Sequence, residues 1–243
     1  GEKIMCAQSG DTMTHPNHRK RGLFTKLAKK TYEAAREEGV EFIYGFPSPI
    51  SYPGFKYKLD WEFPYNMVRF TRMVPTLPIG IVKKKLNMKI GTFNKLVNKY
   101  VKAKNLCPSI LSDQWYINNY AEFETLRDKK FWEYKKSLKS NKLFIDYEGV
   151  GALLKFDGNI SIGNIIGDTT QESLRKLFKT IDIIAILSGS LQIRTFIQPS
   201  SNLMKSLDNY GKLTEAMPYG YINLTKKYDP SKLILDYVDF DYF

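Results

Sequence analysis

The chain has 243 residues, 43% of them hydrophobic, and a formal net charge of +12. That is enough apolar material for one large core or two small ones, and no run approaches the ~18 consecutive apolar residues of a membrane-spanning helix. No charged-then-apolar leader opens the sequence. Cys6 and Cys107 are too few and too far apart for a disulfide-stapled or zinc-ribbon protein, so a reducing cytoplasmic setting is expected.

A strand-like run over residues 3–14 leads through His15-Pro16-Asn17-His18 into Arg19-Lys20-Arg21-Gly22-Leu23-Phe24. Over 23–38 the positions Phe24, Leu27, Ala28, Thr31, Tyr32 and Ala35 recur at helical spacing, which predicts an amphipathic helix stopped by Gly39. Residues 40–46 read as a buried strand ended by Pro47 and Pro49; a short helix or turn follows at 51–58, then an extended run at 61–72. Strand, helix, strand, short helix, strand defines an α/β layer, an α+β mixed sheet with helices packed against it.

Residues 76–142 read as a basic helical connector, with lysine-rich helices such as 93–104 and an aromatic-rich helix at 113–136. Regional net charge is +4 over 1–80, +10 over 81–142 and −2 over 143–243. The basic middle fits either a solvated lysine-rich face or attraction to a phosphorylated ligand, a nucleic acid or an acidic lipid surface. Trp115, Tyr116, Tyr120, Phe123, Phe131 and Trp132 fit a core better than base stacking, because they lack the strand context of RNA-binding platforms. Strand signals return at 143–147, 151–156 and 160–166, with Asp157-Gly158 as a hairpin turn. A helix at 170–180, apolar runs at 181–187 and 191–197, a short helix at 201–209 and two final strands complete the chain. The pattern of 42–47, 51–61 and 67–70 parallels that of 193–199, 201–213 and 221–224, a degenerate internal repeat. The expected organisation is therefore 1–75, a connector at 76–142, and 143–243.

The chemistry concentrates at Arg19-Lys20-Arg21-Gly22. A short basic loop that opens a helix presents free backbone N–H groups and the positive end of the macrodipole, which together suit a pyrophosphate. The N–H groups of residues 20–25 would hold it and Gly22 would allow close approach; the competing reading is a solvated basic turn. His15, His18 and Cys6 offer no fourth ligand, so no metal is expected.

These residues resemble the GNAT acyltransferase superfamily, whose members bind acyl-coenzyme A. Its signature is Arg or Gln, two residues, Gly, one residue, then Gly or Ala; Arg19 and Gly22 match, and Phe24 replaces the small residue. Thr14-His15-Pro16 stands at the end of the family's fourth strand, and residues 40–46 stand for its fifth. Residues 48–61 resemble its next motif, with Leu59-Asp60-Trp61 where Leu-Gly-Phe is usual. Asp11-Thr12-Met13-Thr14-His15-Pro16 with Gly45-Phe46-Pro47 and Ser51-Tyr52-Pro53-Gly54-Phe55 resembles a subgroup with two tandem GNAT-like halves, often tied to surface polysaccharide or amino-sugar biosynthesis. By that resemblance the first half lacks the family's initial strands and helices.

The resemblance implies acetyl-coenzyme A or another acyl-coenzyme A as co-substrate, held by Met13 and Thr14 at its pantetheine and by Arg19, Lys20, Arg21, Gly22, Leu23, Phe24 and Thr25 at its pyrophosphate. The family's acid tyrosine aligns with Lys56, leaving Tyr57 or Tyr52 as the acid, with Asp11 or Glu62 as base. In the second half, Asn164-Ile165-Ile166-Gly167-Asp168-Thr169-Thr170 stands in place of the basic loop. Asp168 would repel a phosphate, so this half is expected to shape the acceptor cleft or buttress the first. The implied function is N-acyl transfer to an amino sugar, a sugar nucleotide or another small amine. The alternatives are a non-catalytic GNAT-like module, or nucleic-acid or anionic-surface binding through 81–142.

Overall fold

The computed structural model describes residues 2–77, 79–86, 91–106, 123–137, 141–199, 201–240 and 243. In chain order its elements begin β1 (Met5–Ser9), α1 (Leu23–Glu37), β2 (Val40–Gly45), α2 (Tyr52–Lys58), β3 (Glu62–Met73), α3 (Ile79–Lys85) and α4 (Gly91–Ala103). Next come β4 (Phe123–Glu124), α5 (Lys129–Ser137), β5 (Asn141–Tyr147), β6 (Val150–Phe156) and β7 (Ile160–Gly167). The last are α6 (Gln171–Ser188), β8 (Gln192–Ile197), α7 (Asn202–Leu207), β9 (Lys212–Asn223) and β10 (Leu233–Ile234). Two compact units result: unit 1 is Gly1–Met67 with Glu215–Leu233, and unit 2 is Val68–Thr214 with Ile234–Phe243.

Unit 1 carries the strand order β1-β2-β9-β3. β1 runs parallel to β2 from Met5↔Val40 to Ser9↔Gly45, and β2 runs antiparallel to β9 from Phe42↔Asn223 to Gly45↔Gly220. Four positions of the α1 stripe land where the spacing predicts: Tyr32 is buried with Val40, Ile43, Phe55, Leu59, Trp61 and Leu224, and Phe24, Ala28 and Ala35 pack against them. Leu27, at 61% exposure, and Thr31 face outward instead, because the buried face of the helix is narrower than the stripe. The buried Trp61 Nε1 donates to the Tyr32 hydroxyl at 2.9 Å. Burial nevertheless outweighs that bond and pushes the Tyr32 pKa up to about 12.

Unit 2 carries β3-β8-β7-β6-β5. β3 and β8 pair antiparallel from Val68↔Ile197 to Met73↔Gln192, and β5, β6 and β7 form a meander. β7 and β8 are parallel but ladder only at Ile160↔Ile193 and Ser161↔Arg194. Leu174, Leu177, Phe178, Ile181 and Ile184 of α6 bury against the sheet, with Val97 and Val101 of α4 in the same core. Each such side chain contributes about 1.5–3 kcal/mol of burial. Arg72 clamps Asp182 with two bonds of 2.9 and 2.7 Å.

The mixed α/β class and most elements follow the sequence pattern. Four differences have physical causes. The apolar run at 181–187 is helix rather than strand: α6 continues to Ser188 and stops at Gly189, which adopts the left-handed conformation with φ 67°. A run apolar on all sides carries no period to separate buried helix from buried strand. The first strand ends at Ser9 instead of reaching Thr14. Of the helix expected at 113–136, residues 113–122 lie outside those described, including Trp115, Tyr116 and Tyr120. The rest forms β4 and α5, where Asp128 accepts from the Phe131 N–H at 3.0 Å. Finally, the units do not follow linear cuts at 75 and 142. Residues 91–106 belong to unit 2, tied by the Asp146 N–H to the Leu106 carbonyl at 2.8 Å, and strands β3 and β9 are divided between the units.

Candidate functional site

The parallel pair β1/β2 stops at Ser9↔Gly45, where a Cβ on Gly45 would lie 3.1 Å from the Ser9 carbonyl oxygen. Beyond it the chain leaves the sheet. Asp11 has φ 47°, Thr12 bonds the Gly10 carbonyl, and residues 16–18 form a 3-10 turn that brings the chain to Arg19. Met13 and Thr14 therefore lie outside the ladder, not in a strand. The Met13 side chain is 87% exposed, and the Thr14 carbonyl accepts from Arg19 Nε at 3.4 Å. Arg19 thus ties the loop to itself, and Lys20 and Arg21 project into solvent.

Gly22 is the N-cap of α1 and sits at φ 69°, with no side-chain cap bond. A Cβ there would meet nothing within 4 Å, so within the protein the glycine is required by its left-handed backbone and not by crowding. Its carbonyl accepts from the Lys26 N–H at 3.1 Å, and the preceding N–H groups of Leu23, Phe24 and Thr25 are left without a partner among the described residues. Free first-turn N–H groups, no acidic residue in the first turn and the preceding Arg19, Lys20 and Arg21 are features that suit an anion.

The Phe24 side chain turns inward, so only its backbone N–H belongs to the open first turn. Its ring lies edge-on to Phe55 at 5.1 Å, and a Cβ on Gly54 would come within 2.8 Å of it. The aromatic at a position where the family has a small residue thus fills the gap between α1 and α2, and Gly54 is the small residue that makes room.

The two tyrosines of α2 differ. Tyr52 is half-buried with its ring 4.5 Å from Phe63. Tyr57 is 71% exposed, and Lys56 Nζ lies 5.5 Å from the Tyr52 ring and 5.7 Å from the Tyr57 ring. A hydrogen bond to Tyr52 raises the Lys56 pKa. Asp11 is exposed in the loop. Glu62, at the start of β3, accepts from the Tyr221 hydroxyl at 2.9 Å. Burial first, then Glu62, moves the Tyr221 pKa up, which keeps that hydroxyl a donor. The sequence reading names Glu62 but misses Tyr221. The pair spans strands far apart in sequence, brought together by the place of β9 between β2 and β3 in the sheet.

His15 and His18 are accounted for locally: His15 Nδ1 accepts from the Asn17 N–H at 3.3 Å and the two rings lie 5.7 Å apart. Among the described residues no group of three or more His, Cys, Asp or Glu could hold a metal ion, and no helix is long and apolar enough to cross a membrane.

The site thus combines a parallel strand–helix–strand unit with an open, basic helix terminus. The model of the acetyltransferase (GNAT) domain family matches residues 1–63, the stretch that contains this whole arrangement. Among solved structures the chain is similar to a GCN5-related N-acetyltransferase from Kribbella flavida, with 14% identity and a TM-score of 0.53 over 90% of this chain and 52% of that one. It is also similar to a tandem GNAT protein from the clavulanic acid biosynthesis pathway, with 8% identity and a TM-score of 0.51 over 90% of this chain and 76% of that one. The chain spans about half the length of the Kribbella protein. No curated sequence relative matches. At these identities the likeness establishes a GNAT-type mixed α/β fold.

Proposed function

We propose that this protein is an acyl-coenzyme A-dependent N-acyltransferase whose donor site is the opening of α1. The observation that carries the reading is the uncapped first turn behind Gly22, flanked by Arg19, Lys20 and Arg21, inside the segment that matches the acetyltransferase family model. The first-turn N–H groups hold the pyrophosphate, and the unladdered backbone of residues 10–14 offers amide partners to the pantetheine arm. In the reaction the acceptor amine attacks the thioester carbonyl carbon, the C–S bond breaks and the thiolate takes a proton. Tyr57 is the better acid of the two candidates, because Tyr52 packs on Phe63. Asp11 or Glu62 takes the proton of the attacking amine. The acceptor class that the resemblance favours is an amino sugar or another small amine, and the expected setting is cytoplasmic.

Titration calorimetry with acetyl-coenzyme A tests the donor site. Gly22→Asp places a carboxylate where the pyrophosphate would sit, and should weaken binding by about 100-fold, on the order of 2.7 kcal/mol. Unchanged affinity would overturn the assignment. Given an amine acceptor, Tyr57→Phe should lower kcat by about 100-fold with KM for the thioester unchanged, a typical loss for a general acid. Full turnover in that variant would remove Tyr57 from the mechanism.

A further inference from the structure

Unit 2 repeats the strand–helix–strand plan of the donor site, with β7, α6 and β8 in the places of β1, α1 and β2. Its two parallel strands part early. After Ser161↔Arg194 neither strand pairs with the other, although β7 runs on to Gly167 and β8 to Ile197. Along β7 the register against β6 also slips between Ala152 and Leu154, a bulge at Gly163 and Asn164. Parted parallel strands next to a bulge leave an opening that something must fill.

What fills it is the closing stretch of the same chain. Residues 237–239 form a 3-10 turn that touches both β7 and β8. Tyr237 meets Phe196 of β8 edge-on at 4.8 Å, and Phe240 lies over the same ring at 6.1 Å. On the β7 side, a Cβ on Gly163 would stand 2.6 Å from the Phe243 ring, so the strand has no room for any side chain there. Polar bonds fix the stretch as firmly as the rings do. Arg127 donates to both carboxylate oxygens of Asp239 at 2.9 and 2.6 Å and pairs with Asp236 at 3.0 Å, and Lys135 Nζ donates to the Phe240 carbonyl at 2.9 Å. Leu235, Tyr237, Val238, Phe240 and Phe243 are all buried.

We infer that residues 235–240 and Phe243 are the permanent occupant of the β7/β8 opening, lying where a thioester arm would lie in a donor-binding unit. Unit 2 then has no donor site of its own and the chain takes one acyl-coenzyme A. The inference rests on the acyl-transfer reading only for what the opening would otherwise hold. It concerns the interior of the unit, and is independent of the charge of Asp168.

Hydrogen exchange of the whole chain, followed by mass spectrometry with and without acetyl-coenzyme A, tests it. In the free protein the amides of 162–166, 195–197 and 238–240 should exchange together and slowly. Adding the thioester should change exchange near 10–25 only, with one equivalent bound. Gly163→Ala, which the Phe243 ring must yield to, should speed exchange of 238–240 at least tenfold and leave acetyl-coenzyme A affinity unaltered. Fast exchange of 238–240 in the free protein, a second equivalent, new protection at 162–168 and 192–198 on binding, or no effect of Gly163→Ala on 238–240 would each overturn it. If no thioester binds anywhere, the proposed function fails, and the free-protein exchange and the Gly163→Ala result still decide this inference.

Discussion

Helices α1 and α6 occupy the same place in their units, each between two parallel strands, yet their first turns are finished in opposite ways. The loop of residues 10–22 ends on a bare glycine at φ 69°, three cations stand beside it and the first N–H groups are unspent. Residues 168–170 make a tight approach to α6 instead, and Thr170 as N-cap accepts from the Ser173 N–H. Asp168 accepts from the Thr170 N–H at 3.0 Å, the Thr170 hydroxyl at 2.9 Å and the Ser173 hydroxyl at 2.5 Å. Those bonds, the Ser173 hydroxyl foremost, hold the Asp168 carboxyl below its ordinary pKa. Two helix openings of equal intrinsic dipole thus differ in whether the chain satisfies its own donors. The proposed donor site is at the opening that the chain leaves unsatisfied.

The contrast can be broken at several points. The largest effect is expected on the closing stretch of unit 2. Arg127→Met strands Asp239 as a buried charge and should cost about 3–5 kcal/mol in chemical denaturation. A cost below ~1 kcal/mol would mean that the stretch is held by its rings alone. Burial opposes the Arg127 charge, but Asp239 and Asp236 together move its pKa upward.

Opening α6 should not convert it. Asp168→Gly combined with Thr170→Gly frees the first-turn N–H groups, yet no acetyl-coenzyme A should bind there, because the β7/β8 opening stays filled; calorimetry on a Gly22→Asp background isolates that half. Thr170→Ala alone should lower stability by about 1 kcal/mol, the usual cost of losing an N-cap, with the donor affinity unchanged.

The smallest effect sits beside Phe243. Burial, with Lys135 and Lys155 nearby, lowers the Lys142 pKa to about 8. A lysine whose folded pKa lies below its unfolded value takes up a proton on unfolding between those two values, so stability from this group rises with pH from about 8 to 10.5 and its charge is a liability below 8. Lys142→Met should therefore be more stable than the parent at pH 7, by at most about 1 kcal/mol given its solvent screening, and lose that lead by pH ~10.5. A lead independent of pH would assign the gain to packing over Phe243.

Much of this was legible in the residues, and the reasons are uneven. The 3–4 spacing over 23–38 has one meaning, and α1 spans Leu23–Glu37. Gly22 stood out as the pivot of a basic turn, though its requirement is a left-handed backbone, which sequence does not print. Phe24 reads as a flaw in a motif until Gly54 is seen to receive it. The division into units was hidden, because β2 and β8 take partners from across the repeat, β9 and β3, and no local pattern records a pairing such as Tyr44↔Tyr221 or Phe70↔Thr195. The role of Tyr237, Phe240 and Phe243 was equally silent: an aromatic tail carries no period.

The pairing of β2 with β9 also sets a timetable for synthesis. Phe42 emerges from the ribosome on the order of 10–40 s before Asn223, its partner, at roughly 5–20 residues per second. Throughout that interval β2 has an unpaired inner edge, with Phe42 and Tyr44 waiting for their cover. Residues 1–75 expressed by themselves would keep that edge bare and should aggregate.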